Sequence, residues 1–349
     1  MDKPLITTII PTYRRPKLLE RAIRSVLSQT YAHFQVCVYD NASGDETAAV
    51  VATIAKADSR VKYYCHPHNI GGIQNFNYGM QQVATPYFSL LADDNILLPH
   101  FFEEALETLN RFPEAILFAG QTIFINEKEQ RLGGALDHWM PGLVSPPNGL
   151  VQVWEKSLNW EGVLFSAEAI RSVGWLDPTL GGSADQDFMM RLARRHVMYI
   201  SKRPCALFFC HNNSWSINRD LREHISSNKK ILQRWLADEE LSETIKAQMQ
   251  QRWEVFVKKT ISNYLCIKSI FGGNKETIRI ASELMNKEIG FAYVPLRAIM
   301  IARLANYNVL LKRFLVTAIY WYLHLKDRLI FFKHRKKYEV QKCSIIILP

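Results

Sequence analysis

Two neighbouring carboxylates, Asp93 and Asp94, directly follow the apolar run Tyr87–Leu91. If both are buried, they repel each other and lose hydration unless a cation lies beside them. A divalent metal such as Mn²⁺ or Mg²⁺ takes oxygen ligands of this kind, and Asn95 offers a further carbonyl oxygen. The alternative is that one carboxylate caps the helix opened by Pro99. The first interpretation predicts a metal site whose remaining positions are filled by phosphate oxygens.

The positions of these side chains depend on the surrounding fold. The first part of the chain alternates strand-like and helix-like runs. Leu5–Ile10 is an apolar, β-branched run of the kind buried on both faces of a parallel sheet. Pro16 opens a helix whose apolar residues recur at helical spacing. Further strands are predicted at 34–39, 61–65 and 87–91, with helices from about residues 46, 72 and 99. We therefore expect an α/β fold with an open, mostly parallel sheet and right-handed crossovers.

The pattern changes after Phe112. A strand is predicted at 116–124, a Gly- and Pro-rich loop or hairpin region at 126–149, a helix at 187–196, and strands at 197–201 and 206–210. From about residue 219 onward the pattern is helical. We predict a globular domain at 1–216, with halves 1–112 and 113–216, and a helical region at 217–349.

In an open parallel sheet, ligands bind outside the carboxyl ends of the strands. The polar residues at these ends are Pro11-Thr12-Tyr13-Arg14, Asp40-Asn41, Asn69 with Gly71-Gly72, and Asp93-Asp94-Asn95. Each has a simpler alternative interpretation. Asp40 can be a turn-capping residue, and the two glycines can merely supply positive φ.

Together these segments carry a family resemblance. Pro11–Arg14, Ser25–Tyr31, Val38–Asp45, Asn69–Gly72 and Leu91–Pro99 strongly resemble the inverting, nucleotide-sugar-dependent glycosyltransferases of family two, which have the GT-A fold. The resemblance covers about residues 5–216. Each motif alone is weak, but their order and spacing are specific.

The resemblance implies roles for individual residues. It implies a nucleotide-sugar pocket formed by Pro11, Thr12, Tyr13, Arg14, Asp40, Asn69, Gly71 and Asp93. In that pocket Tyr13 would pack against the base, Asp40 would accept a hydrogen bond from a uracil ring, and Asp93 would lie near the ribose. Trp160 and Glu161 fall where acceptor-side residues lie, with Trp160 stacking on a sugar face; the alternative is a packed core tryptophan.

The resemblance also implies a metal and a base. Asp94 would bind the metal that bridges the diphosphate, and His211 would reach the metal or the diphosphate. Asn95 replaces an aspartate that is frequent in the family and keeps an oxygen ligand. Asp185 corresponds to the general base, with Ala184 in place of the family's preceding glutamate. The alternatives are a structural His211 and an Asp185 that, like its neighbour Asp187, favours the positive end of the following helix.

Composition narrows the class of protein. With 48% hydrophobic and 22% charged residues, the chain is ordinary for a globular protein and unlike a disordered or collagen-like one. Six scattered cysteines without a Cys-x-x-Cys pair indicate reduced thiols in the cytoplasm rather than a disulfide or zinc scaffold. We expect no secretory signal and no membrane-spanning run.

Charge is unevenly divided, because residues 1–216 carry a net charge of −2 and residues 217–349 carry +12. The basic part is also aromatic, which favours an anionic membrane surface over nucleic acid. Its uncharged run Phe314–Leu325, roughly 18 Å as a helix, is too short to cross a hydrocarbon core of about 30 Å. We expect a helix lying in the membrane interface; the alternative is a helical appendage or dimer interface.

The sequence therefore predicts an inverting, metal-dependent sugar transferase. It would take a uridine-based nucleotide-sugar donor and a hydroxyl acceptor on a lipid-linked, cell-surface glycan such as lipopolysaccharide, at the inner face of the plasma membrane. One alternative is a nucleotidyltransferase-like enzyme, against which the glycine-poor loop after the first strand argues. The other is a non-catalytic glycan-binding relative.

Overall fold

The computed structural model describes residues 3–211 and 220–270, with the short pieces 279–280, 283–284 and 287–288. Contacts divide the chain into one compact unit, Met1–Arg252, and a second that begins at Trp253. The predicted boundary at 216/217 stays a prediction. The predicted membrane-surface run lies outside the described residues. No helix among the described residues is both long and apolar enough to cross a membrane.

The first half of the chain alternates strands and helices as predicted. Its strands are β1 (Ile6–Thr12), β2 (Phe34–Asp40), β3 (Val61–Cys65), β4 (Tyr87–Leu90) and β5 (Ile96–Leu97). Its helices are α1 (Pro16–Leu27), α2 (Thr47–Ala57), α3 (Gly72–Gln81) and α4 (Phe101–Arg111). All seven residues of β1 are buried, because helices cover both faces of the sheet there. Pro16 lies in the first turn of α1, where its missing N–H costs nothing.

The second half is more mixed. Its strands are β6 (Ala115–Asn126), β7 (Arg131–Gly134), β8 (Gly142–Val144), β9 (Val163–Ser166) and β10 (Val197–Cys210). Its helices are α5 (Asn148–Lys156), α6 (Glu168–Val173), α7 (Ala184–Arg195), α8 (Leu221–Leu236) and α9 (Glu243–Ile270), and a 3₁₀ segment, Pro178–Ser183, precedes α7.

One mixed sheet holds these strands in the order β3-β2-β1-β4-β9-β6-β10-β5, with β7 beside β6 and β8 beside β10. The four strands β3, β2, β1 and β4 run parallel, as predicted. Strand β9 is antiparallel to both of its neighbours, β4 and β6. In the register Thr12 pairs with Asp40, and Asp40 pairs with Cys65, so the carboxyl ends of β1, β2 and β3 meet at one edge.

Two predictions for the second half were incomplete. The sequence indicated two strands at 197–201 and 206–210, whereas β10 is one strand with register shifts on both sides of Pro204. These irregularities let the strand pass a residue that cannot donate a ladder hydrogen bond. Helix α5 begins inside the predicted loop region. It forms because tertiary packing buries Leu150, Val153 and Trp154 despite the surrounding Gly and Pro.

Candidate active site

A cavity of about 590 Å³ lies at the carboxyl ends of the parallel strands. This volume is typical of sites for small organic molecules. The predicted residues that line it are Pro11, Thr12, Tyr13, Asn69, Asp93, Asp94, Asn95, Trp160, Glu161 and Asp185. The fold therefore brings most of the predicted site together, across more than 170 residues of sequence.

The acidic pair after β4 is buried and ion-paired. Asp93 and Asp94 are 6% and 8% exposed. Arg15 Nη1 lies 2.8 Å from Asp94 Oδ2 and 3.3 Å from Asp93 Oδ1. Thr12 Oγ1 donates a hydrogen bond to Asp93 Oδ2 at 2.8 Å. Burial raises the pKa of Asp93 to about 6, although Arg15 works in the opposite direction. A cation does lie beside the pair, but it is the guanidinium of Arg15, which is not among the predicted site residues.

His211 approaches the same carboxylate from the opposite half of the chain. It follows the last residue of β10, and its Nε2 is 3.1 Å from Asp94 Oδ2. The Asp94 backbone is also fixed, because Arg21 Nη2 donates to its carbonyl oxygen at 2.7 Å. The Arg21 guanidinium in turn lies 3.8 Å from the centre of the Phe209 ring. Helix α1 and strand β10 thus hold the acidic loop, Asp93–Asn95, between them.

The donor set suits a divalent cation with an open coordination shell. Asp94 supplies a carboxylate oxygen and His211 an imidazole nitrogen, both of which Mn²⁺ accepts as ligands. Among the side chains that the structure describes, no cluster of three or more His, Cys, Asp or Glu is placed to hold a metal. A cation at Asp94 would therefore take most of its ligands from a bound molecule or from water.

Asn95 joins the acidic loop to Glu161. Asn95 is fully buried; its Nδ2 donates to Glu161 Oε1 at 2.8 Å, and its Oδ1 accepts from the Phe209 N–H at 3.0 Å. Both ends of the amide are therefore used inside the protein. The predicted metal contact of Asn95 stays a prediction, and its observed role is to position Glu161.

Glu161 is a buried carboxyl group on the cavity wall. It is 1% exposed, and its main-chain oxygen accepts a hydrogen bond from Thr122 Oγ1 at 2.5 Å. Its Oε2 is buried and has no hydrogen-bond partner among the described residues. Burial raises the pKa of Glu161 to about 7, and the nearby charges of Asp94 and Asp185 add to this increase. Neighbouring Trp160 lies 4.7 Å from Phe76 between ring centres, on the same cavity.

Three residues predicted for the nucleotide pocket hold its wall in place. Asn69 Oδ1 accepts hydrogen bonds from Asn41 Nδ2 and from the Gly71 N–H, both at 2.9 Å. Gly71 has φ of 86°, a conformation that favours glycine. Arg14 is turned toward Ser43, because its Nε donates to the Ser43 carbonyl oxygen at 3.1 Å. Neither Gly71 nor Arg14 lines the cavity, and their binding roles stay predictions.

Asp40 is occupied by internal hydrogen bonds. It is 2% exposed; its Oδ1 accepts from Ser43 Oγ at 2.5 Å and its Oδ2 accepts from Tyr63 OH at 2.6 Å. The next residue, Asn41, lines the cavity, whereas Asp40 does not. The structure thus gives Asp40 the turn-stabilising role that was the alternative, and its contact with a base stays a prediction.

Asp185 lies in the first turn of α7 and lines the cavity. The segment before it is supported by α8, because Asn228 Nδ2 donates to Ser183 Oγ at 2.9 Å. Asp187 instead points into the protein with no exposed side-chain surface. It accepts hydrogen bonds from Arg191 Nε at 2.8 Å and from Arg234 Nη1 at 2.6 Å. Of the two aspartates, Asp185 lines the cavity, whereas the Asp187 side chain is fully buried.

Comparison with known proteins agrees with this arrangement. Residues 7–153 match the family described as Glycosyl transferase family 2. The matched segment is 147 of the 349 residues, and over it the chain is similar to glycosyl transferase family 2. The family 2 match includes the acidic pair and ends before Asp185, so the base candidate lies outside it.

The similar proteins are distant. Curated relatives from Rickettsia species, named as uncharacterized glycosyltransferases, are 26–27% identical, and this chain spans about a third of their length. A Campylobacter jejuni relative, GalNAc(5)-diNAcBac-PP-undecaprenol beta-1,3-glucosyltransferase, is 32% identical over 31% of this chain and 35% of its own.

Solved structures show the same fold. Staphylococcus aureus TarS 1–349 in complex with UDP-GlcNAc has a TM-score of 0.62 at 12% identity, over 97% of this chain and 94% of that one. The mannosyltransferase PcManGT from Pyrobaculum calidifontis, in complex with GDP-Man and Mn²⁺, has a TM-score of 0.52 at 13% identity, over 88% of each chain. The GT-A-like fold predicted from sequence is confirmed.

Proposed function

We propose that this protein transfers a sugar from a nucleoside-diphosphate donor to a hydroxyl acceptor, with inversion at the anomeric carbon. The observation that carries the proposal is that Asp94, with His211 beside it, and Asp185 lie at one cavity. Such a cavity offers a place for an anionic leaving group and a carboxylate that can accept a proton.

Each residue has a part in the displacement. The bond between the anomeric carbon and the diphosphate breaks as the acceptor oxygen attacks from the opposite face, and Asp185 accepts the proton of that hydroxyl. Asp94 and His211 would hold a divalent cation, Mn²⁺ or Mg²⁺, which when bound neutralises the charge of the diphosphate. Thr12 keeps Asp93 in place for the ribose, because it already donates to that carboxylate.

The residues on the donor side of the cavity favour a uridine nucleotide. Tyr13, which is 38% exposed at the cavity, offers a ring face to a base, and Asn41 and Asn69 offer polar groups beside it. The crystallised relative in fold, TarS, binds UDP-GlcNAc, which supports a uridine diphosphate sugar as the first donor to test.

The acceptor side of the proposal rests on a relative that matches 31% of this chain. The C. jejuni relative is named for an undecaprenol-linked acceptor, which supports a lipid-linked, cell-surface glycan for this protein too. Trp160 and Phe76 offer aromatic faces on which a sugar ring could stack. A basic segment at 290–349, with 11 Lys or Arg against 2 Asp or Glu, would bring the enzyme to the cytoplasmic face of the membrane, where such acceptors are built.

The direct test is the variant Asp185→Asn, assayed with a panel of UDP sugars and acceptors in the presence of Mn²⁺. We expect UDP binding to persist and transfer to fall by about 100-fold or more, since general-base catalysis is worth this much. Asp187→Asn is no suitable control because it breaks buried ion pairs; Asp45→Asn, at the exposed start of α2, is the matched one. Transfer at the wild-type rate by Asp185→Asn would show that another group is the base.

A further inference from the structure

Arg15 spans the acidic pair through one guanidinium nitrogen. Its Nη1 lies 2.8 Å from Asp94 Oδ2 and 3.3 Å from Asp93 Oδ1, and its side chain is 31% exposed. Arg15 also lines the cavity. Its backbone is fixed, since its carbonyl oxygen accepts the Leu19 N–H of α1 at 2.9 Å. Any movement of the guanidinium would therefore come from rotation of a long side chain about a fixed anchor.

The guanidinium and a metal ion would compete for the same atom. Asp94 Oδ2 faces both Arg15 and His211 Nε2, which is 3.1 Å away. A doubly charged cation on that oxygen would repel a guanidinium at hydrogen-bond distance, and the repulsion is strong in a partly buried site. Metal binding at Asp94 and the present position of Arg15 therefore disfavour each other.

A new partner for the displaced guanidinium would arrive with the donor. Resting on the proposed function, we infer that Arg15 is a diphosphate-binding residue that leaves Asp93 and Asp94 for the phosphate oxygens when metal and nucleotide enter together. Arginine suits this exchange, because its planar fork pairs with carboxylate and phosphate groups alike. Until the donor arrives, the same side chain neutralises two buried carboxylates.

The exchange makes metal and nucleotide binding cooperative. Metal alone must displace Arg15 without giving it a new partner, so it binds weakly. Nucleotide supplies that partner and thereby strengthens metal binding; by linkage, metal strengthens nucleotide binding by the same factor. An arginine that merely stabilised the fold would not contribute to this coupling.

The test is the variant Arg15→Gln, with Mn²⁺ binding followed by electron paramagnetic resonance and UDP binding by calorimetry. We expect Mn²⁺ alone to bind about tenfold more tightly than to the wild type, since its competitor is gone. We expect UDP with Mn²⁺ to bind about tenfold more weakly, since a charge-assisted contact is lost. Arg24→Gln is the matched control: Arg24 lies on α1 and pairs with the exposed Glu20 instead.

Arg15→Lys covers the case in which Arg15→Gln does not fold. This variant keeps a positive charge beside Asp93 and Asp94, so Mn²⁺ alone should bind as it does to the wild type. It loses the planar guanidinium, so UDP should bind more weakly. Unchanged or weaker binding of Mn²⁺ alone to Arg15→Gln, or unchanged UDP binding to either variant, overturns the inference while the proposed function stands. A wild-type protein that binds neither Mn²⁺ nor UDP overturns both.

Discussion

Asn95 donates a hydrogen bond of 2.8 Å to Glu161 across 66 residues of sequence, and both side chains are almost completely buried. The contact joins the loop after β4 to the segment before β9. It leaves a carboxyl group, Glu161, on the cavity wall with one oxygen satisfied and the other without a described partner. A buried acid of this kind is costly to ionise.

The stability of the protein should therefore depend on pH through Glu161. Its pKa is raised from 4.5 to about 7, so the folded state binds more protons than the unfolded state between these values. The contribution of Glu161 to stability is present below pH 4.5 and is lost as the pH rises through 7. The wild type loses this contribution and Glu161→Gln does not, so the unfolding free energy of the variant minus that of the wild type should rise by about 2–3 kcal/mol from pH 5 to pH 8.

Urea unfolding in EDTA at the two pH values measures this change. The comparison uses the difference in unfolding free energy between the variant and the wild type at each pH. Any effect of the glutamine amide that does not depend on pH then cancels. Parallel stability curves for the two proteins across this range would show that Glu161 titrates normally.

Removal of the Asp94 charge should strongly weaken metal binding. We expect Asp94→Asn to bind Mn²⁺ at least about 100-fold more weakly, because a direct ligand matters at least as much as its outer-shell partners. Asp58→Asn, which changes an aspartate paired with Arg60 at the end of α2, is the control. Mn²⁺ titration by calorimetry with UDP present is the measurement, and retention of wild-type affinity by Asp94→Asn would remove this residue from the metal site.

Arg234 should matter for stability although it is partly exposed. It donates to Asp187 Oδ1 at 2.6 Å and to Asp177 Oδ2 at 2.8 Å, and Asp187 has no exposed side-chain surface. Arg234→Met leaves Asp187 with Arg191 alone, so we expect a loss of about 2 kcal/mol, less than for a fully unpaired buried charge. Arg171→Met, which breaks an exposed pair with Glu168, should have little effect. Equal unfolding midpoints for the two variants would contradict this.

Asn228 should affect the rate without lining the cavity. Its Nδ2 donates at 2.9 Å to Ser183 Oγ, two residues before Asp185. With Asn228→Ala we expect kcat to fall about tenfold, because a small displacement of the base is costly, while UDP affinity stays unchanged. The assay is steady-state transfer at a temperature where circular dichroism shows both proteins folded. An unchanged kcat would mean that Asp185 is positioned by α7 alone.

The sequence was sufficient to predict the parallel strands and to predict that Asp93 and Asp94 lie at the carboxyl ends of these strands. Val61–Cys65 was predicted with its observed bounds, because short apolar strands between helical patterns are locally encoded. The meeting of Thr12 and Asp93 followed from the rule that ligands bind at the carboxyl ends of parallel strands.

Contacts between distant segments could not be predicted in this way. The pairing of Arg15 with two acids 78 and 79 residues away leaves no local pattern, nor does the hydrogen bond from Tyr63 to Asp40. Arg15 directly follows the predicted pocket residue Arg14, and that adjacency was the available signal. Helix α5 was missed because its burial is decided by packing and not by composition.

Helix α8 lies beyond residues 7–153, the part of the chain that matches the family, yet it contacts the segment that carries Asp185. A shortened protein that ends at residue 216 would keep Asp93 and Asp94 but would lose the hydrogen bond from Asn228 that supports the segment before Asp185. Substitutions in α8 could therefore change the turnover rate of related enzymes although every side chain that lines the cavity stays the same.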